Sequence, residues 1–294
     1  MHVAGIIPIA NFKSDFRVDY PECLLPVDAG FSMIQKAVFE CAIAGCQTIW
    51  IVANDDLAPI VRQQVGEWVY DPVYYSRPFA NFPSSQQKEI PIYYAPVHPK
   101  DRDRIDSYGW SALYGMHSAY IVSSRISNWV VPEKYYVAFP YGAHNIYLLR
   151  QHRDLIRDPK KNFYVSHESK TVRDGEYLSF TMFPKDFKLC RTHVKKATTR
   201  EHYPPAAGEQ YPSKKIPLKD RWSGRYFGFE EVFKLYDISG SHKFETDWYH
   251  NIGNWDGYRT FLGSENFIKK PADVLTRPHI HGKISYNNQE GENT

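Results

Sequence analysis

The chain has 294 residues, 43% hydrophobic and 23% charged, with a formal charge of +3. That composition excludes a disordered chain, and the length suffices for a large core, as one domain or two intimate ones. So small a charge gives no argument by itself for a nucleic-acid partner.

Val3 to Ala10 is a nearly continuous apolar run, and so is Thr48 to Ala53. Strands apolar at every position are buried on both faces, the habit of parallel sheets. Between them Met33, Ile34, Ala37, Val38, Cys41 and Ala42 recur at helical spacing, and Gly45 stands where a helix ends. Strand, helix, strand with this timing predicts a right-handed βαβ unit, with ligands expected beyond the carboxyl ends of the strands. The loop from Asn11 to Cys23 is thus the first place to look for chemistry. The four cysteines (Cys23, Cys41, Cys46, Cys190) form no CxxC pair, so no zinc or redox motif is present. Cys41 reads as a small core residue.

Asp56 is placed to cap a helix carrying Leu57, Ile60, Val61, Val65, Trp68 and Val69, and Asp71 to Gln87 reads as a long loop. Ile90 to Val97 is a third strand, Lys100 to Asp106 a charge run, and Tyr108 to Ser111 the start of another helix. Tyr135 to Phe139 is a fourth strand, followed by Pro140-Tyr141-Gly142. This alternation predicts an α/β sandwich around a mainly parallel sheet. Further on, Tyr177 to Phe183, Phe187 to Thr192 and Arg225 to Phe229 read as strands and Glu230 to Tyr236 as a short helix. Residues 193–224 form a basic, proline-rich insertion, and the tail from Gly282 is polar. No apolar run is long enough to span a membrane and no signal peptide precedes the first strand, so a reducing, cytoplasmic setting is expected.

Pro21-Glu22-Cys23-Leu24-Leu25-Pro26-Val27, then a helix, Ala44-Gly45-Cys46 and a strand ending at Asn54 resemble the start of the sugar-phosphate nucleotidyltransferases, whose pattern is GGxGTRL, PKPLLPV, a helix ending in AGC-like residues and a strand. Gly109-Trp110-Ser111-Ala112-Leu113 is similar to the family's GTAGAL segment, Gly224 to Phe233 to AGIYVFSPEVF, and Trp248 to Tyr258 to WxDIGTPEDY. The similarity is collinear over about the first 260 residues. It implies a GT-A or Rossmann-like three-layer sandwich with a central mixed, mainly parallel sheet over 1–264, and a C-terminal extension at 265–294. The implied reaction joins a nucleoside triphosphate and a sugar 1-phosphate to give a nucleotide sugar and pyrophosphate, with Mg2+ as cofactor. By position, Asn11, Lys13, Arg17, Gly109 and Ser111 would meet nucleotide or phosphate. Tyr141, Gly142, His144 and Asn251 would line the sugar side.

The departures fall on the chemistry. No glycine occurs between Asn11 and Asp28, where the family cradles phosphate with backbone N–H groups. Glu22 stands for the PKP lysine, Pro140-Tyr141-Gly142 follows the fourth strand where a metal aspartate is expected, and Asn251 stands at the aspartate of D-I-G. Magnesium requires carboxylate oxygens beside the phosphates. These residues therefore point to a divergent protein of the family type with doubtful catalysis, or a possible pseudoenzyme: a non-catalytic nucleotide or nucleotide-sugar binding or interaction module.

Other groups admit two readings. Lys13 and Arg17 could bind phosphate or simply face water. Asp101-Arg102-Asp103 has the form of the DxD motif of GT-A glycosyltransferases, against a charged surface loop. Asp55 and Asp56 read as a helix cap, and Asp15, Asp19, Glu22 and Asp256 are the remaining carboxylates for a rebuilt metal site. His279 and His281 form an HxH pair with no third ligand in view. Lys195 to Arg225 interleaves lysines with Tyr203, Tyr211 and Trp222, a mixture that suits nucleic acid or a solvated surface.

Overall fold

The computed structural model describes residues 1–12, 15–75, 88–97, 108–198, 202–203, 205–208, 214–217 and 228–271. In chain order the elements are β1 (Val3–Pro8), β2 (Pro26–Asp28), β3 (Phe31–Ser32), α1 (Met33–Ala44), β4 (Thr48–Ala53), α2 (Leu57–Val65), β5 (Trp68–Tyr70), α3 (Pro72–Tyr75) and β6 (Glu89–Pro96). They continue with α4 (Tyr108–Ile126), β7 (Lys134–Val137), β8 (Gly142–His144), α5 (Arg153–Ile156), β9 (Phe163–Ser166), β10 (Phe180–Met182), α6 (Pro184–Thr198), α7 (Phe229–Phe233), β11 (His242–Glu245), β12 (Tyr249–Asn251) and α8 (Trp255–Leu262).

Eight strands form one sheet in the order β11-β9-β10-β7-β1-β4-β6-β5. β7, β1, β4 and β6 run parallel, while β10 and β5 run antiparallel to their neighbours. This is the mixed, mainly parallel sheet expected from the sequence. Every residue of β1 is buried, because helices cover both faces. The strand's alternation assigns those faces. A Cβ on Gly5 would meet Cys41 of α1, whereas the next residue, Ile6, meets α4 near Gly115. α1 thus covers one face, and α4, with α6 and α7 against it, covers the other.

Local rules account for the helix ends. Ser32 and Gln35 form a reciprocal capping box at α1, of the kind that stabilises by about 1 kcal/mol. Gly45 ends α1 at φ 88, a left-handed conformation that favours glycine, and Asp56 caps α2 through the N–H of Leu57. Cys41 is a fully buried core residue.

Four sequence readings are corrected. Trp68 and Val69, read with the helix that Asp56 caps, lie in strand β5, because that helix ends at Val65 before Gly66. Phe187 to Thr192 lies within helix α6 and is not a strand. Pro184 occupies the first turn, and Phe187, Cys190 and Val194 bury one face at helical spacing. The insertion read as starting at 193 begins inside that same helix, which runs on to Thr198. Phe229 opens α7 and belongs to no strand; residues 225–227 lie outside the described set. Of the C-terminal extension, Ile268 is buried and the Lys270 N–H donates to Asp28 at 2.7 Å. His279, His281 and the rest of 272–294 lie outside the described residues. Among the described residues no helix is long and apolar enough to cross a membrane.

Candidate functional site

At the carboxyl end of β1 the N–H groups of Ile9 and Ala10 both donate to the Val52 carbonyl, and the chain turns away through Asn11 at φ 60. Asparagine tolerates that left-handed conformation better than most residues. The first turns of α4 are stitched to this end. The Tyr108 hydroxyl donates to the Pro8 carbonyl at 3.0 Å, and the Ser111 hydroxyl donates to the Ala10 carbonyl at 3.0 Å. The Asn11 amide donates to Ser111 at 3.4 Å. Ser111 is therefore an internal helix residue tying α4 to β1 and does not act as the helix cap.

Beyond Asn11, the Phe12 ring lies flat on Tyr141, with centroids 3.6 Å apart and planes 13° apart. Tyr108 and Tyr177 meet Phe12 edge-on at 5.1 and 5.9 Å, and Phe229 stacks on Tyr108 at 5.8 Å. Burial pushes the phenols of Tyr108 and Tyr141 well up, helped at Tyr108 by Tyr141 and at Tyr141 by Cys23 and Glu22. Glu22 therefore acts electrically on this end of the sheet. Gly109 packs on Val232 of α7, so its Cβ position is already occupied.

Gly142 pairs with Asn251 across the β8–β12 ribbon. The Asn251 side-chain oxygen accepts from the Gly253 N–H at 3.0 Å and is committed to that turn. Asn254 caps α8, and the Trp255 N–H donates to Asp15 at 2.9 Å, closing the ring of segments.

Asn11, Phe12, Tyr108, Gly109, Ser111, Tyr141, Gly142 and Asn251 are thus neighbours. His144 is not part of this surface. It is fully buried, with Nε2 3.5 Å from Glu40 of α1. Arg17 is exposed on a left-handed backbone, and Asp256 is exposed beside Arg259 at 3.4 Å on α8. Lys13, Asp101 and Asp103 lie outside the described residues. Of the basic segment, Lys195 sits on α6, and most of the remainder lies outside the described set. Among the described residues, no group of three or more His, Cys, Asp or Glu is arranged to hold a metal.

Beneath the turn that follows β7 lies a buried polar cluster that sequence reading missed. Lys36 donates to the carbonyls of Phe139 and Gly142 at 2.8 and 2.5 Å. Glu40 accepts from the Tyr136 hydroxyl at 2.9 Å and from Ser179. The available signal was Lys36 and Glu40 four apart on a helix that is otherwise mostly apolar.

The fold and this end of the sheet define an α/β three-layer protein around a central mixed, mainly parallel sheet. No family model matches the chain, and no curated protein matches it in sequence. Among solved structures it is similar to a Bacillus anthracis protein described as a putative glucose-1-phosphate thymidylyltransferase, in complex with a sucrose, at TM-score 0.53 and 10% identity over 91% of this chain and 98% of that one. It is similar to a UDP-glucose pyrophosphorylase complexed with UDP-glucose at TM-score 0.50 and 13% identity, over 89% of this chain and 97% of that one. A nucleoside-diphosphate-sugar pyrophosphorylase from Vibrio cholerae RC9 gives TM-score 0.50 and 11% identity, over 88% of this chain and 100% of that one. At these identities the likeness establishes the fold.

Proposed function

We propose that this chain is a non-catalytic nucleotide or nucleotide-sugar binding module built on the nucleotidyltransferase fold. One observation carries the non-catalytic half: Phe12 stacked on Tyr141 at the carboxyl ends of β1 and β7. The family type of reaction needs carboxylates there, holding Mg2+ against triphosphate. Here two apolar ring faces fill the position, and Asn251 offers an amide oxygen already engaged by Gly253. These residues do not fit a magnesium site, and no catalytic step is derived through one. By the resemblance, Glu22 stands where the family type carries a phosphate-binding lysine, and it brings the opposite charge.

The binding half is supported by the fold neighbours, one of which is complexed with UDP-glucose, and by the collinear resemblance. Two measurements test the reading on the full chain. Pyrophosphate release is assayed with magnesium across the common nucleoside triphosphates and sugar 1-phosphates, and thermal unfolding is followed with nucleotides and nucleotide sugars with and without magnesium. The expected result is no magnesium-dependent turnover at ordinary enzyme rates of about 1 per second or more, with stabilisation by a nucleotide or nucleotide sugar that does not need the metal. Turnover at such rates, or no stabilisation by any of these ligands, overturns it.

A further inference from the structure

A second surface lies on the α4 face of the sheet, beginning at Trp110, between Gly109 and Ser111 of the carboxyl-end cluster. It is a groove of about 860 Å³ lined by Trp50 of β4, Ala95 of β6, Trp110, Tyr114 and His117 of α4, and Arg191 of α6. Its volume falls in the range of small-molecule sites. Trp110, Tyr114 and His117 stand at i, i+4 and i+7, so one helix face supplies one wall. Trp50 is held in place by stacking on Tyr93 at 4.6 Å and by its indole N–H donating to Thr48.

The groove combines two properties. The first is ring surface left uncovered by other rings. Trp110 and Tyr114 are half-buried, and neither has a ring partner among the described residues. The second is a concentration of positive charge. Lys195 joins Arg191 on the rim, and no Asp or Glu lines the groove among the described residues. The Arg191 guanidinium is half-buried over the Phe187 ring, 6.0 Å from its centroid, and His117 stacks on the same ring at 6.4 Å. Phe187 thereby sets both groups toward one space. Burial holds Arg191 below its usual range, and burial with the charges of Arg191 and Lys195 does the same to His117. Every cause named for those two groups disfavours another proton.

We infer that this groove binds a planar aromatic ring that carries a phosphate, a nucleoside monophosphate or the corresponding part of a nucleotide. The ring lies against Trp110 and Tyr114, and the phosphate is taken by Arg191, whose planar fork suits phosphate geometry. Aromatic stacking contributes about 1–3 kcal/mol per base in other nucleotide-binding grooves, tolerant of base identity. The inference stands independently of the reading given to the carboxyl-end cluster, and its test separates the two.

The test uses the full chain with adenosine 5′-monophosphate as probe, and adenosine and inorganic phosphate as its two halves. Calorimetric titration is paired with fluorine NMR of protein labelled with 5-fluorotryptophan, the Trp110 signal being assigned by its loss in W110F. Expected is saturable binding of the monophosphate at least roughly tenfold tighter than either half, with a shift of the Trp110 signal. R191Q and W110A should each weaken it by about tenfold or more while keeping a cooperative thermal transition near that of the unaltered chain. R150Q, exposed on the segment packed against α1 on the opposite face of the sheet, should bind as the unaltered chain does. Unchanged binding in folded R191Q and W110A overturns the inference. So does loss of binding in R150Q alone, which would assign the ligand to the opposite face of the sheet, and so does phosphate binding as tightly as the monophosphate.

Discussion

Lys36 and Glu40, one turn apart on α1, are both fully buried, with Nζ and Oε2 3.6 Å apart. Burial dominates at Lys36 and holds its ammonium below its usual value, even though Glu40 pulls the other way. At Glu40 burial pulls upward, but the charges of His144 and Lys36 and the Ser179 hydroxyl outweigh it. The pair anchors the turn beneath Tyr141, because Lys36 also holds the carbonyls on either side of Pro140-Tyr141.

Removing one partner should leave the other charge buried and unpaired. K36M is expected to lose about 3–5 kcal/mol in chemical denaturation. K36M/E40Q should recover at least roughly 1 kcal/mol of that, since the substituted amide carries no charge and its oxygen can still accept from Tyr136 and Ser179. Additive losses in the double-mutant cycle would show that the pair is not coupled.

The same carboxyl predicts an acid limb. Glu40 titrates at about 2 in the folded chain against 4.5 for an ordinary glutamate. A carboxyl depressed in the folded state contributes stability above its unfolded value and loses it as pH falls through its folded value. Stability should therefore decline across pH 4.5 to 2. The decline should be shallower in E40Q, measured by urea midpoints at each pH. Equal slopes in the two proteins would remove Glu40 as the cause.

Gly142 is set by close approach. A Cβ there would overlap the backbone carbonyl of Tyr177, which cannot move without disturbing the joint to β12. G142A should cost more than about 3 kcal/mol. G228A, with no neighbour closer than 3.7 Å and an ordinary backbone, should change stability by about 0.5 kcal/mol or less. Urea denaturation of the two variants side by side checks both.

All four cysteines are buried and unpaired. Burial pushes the thiols of Cys23 and Cys190 up to about 12 and that of Cys41 well up. Thiolate is the reactive form, so alkylation by iodoacetamide at pH near 8 should follow the rate of unfolding. Mass spectrometry should find no modified cysteine in the native chain after minutes and four in urea. Rapid native labelling of any one would contradict its burial.

The sequence by itself determined the sheet and its two flanking layers. Uniformly apolar runs such as Val3 to Ala10 require burial on both faces, and the helical period of Met33 to Ala42 with Gly45 after it leaves little choice of element. Parallel strands bring their carboxyl ends to one edge, which fits Asn11 and Tyr141, while the resemblance alone implied that Gly109 and Asn251 would join them. Only the tertiary structure decided what those residues do there. Ring stacking depends on side-chain direction, so the face of Phe12 on Tyr141 has no periodicity to announce it. The same holds for His144, whose place on β8 sends it inward to Glu40. Phe187, Cys190 and Val194 show the converse case: their helical spacing is visible only when the segment is read past Thr192, where the strand reading stopped. The groove of Trp110 and Arg191 is likewise a product of assembly, since its walls come from α4 and α6, which are far apart in sequence.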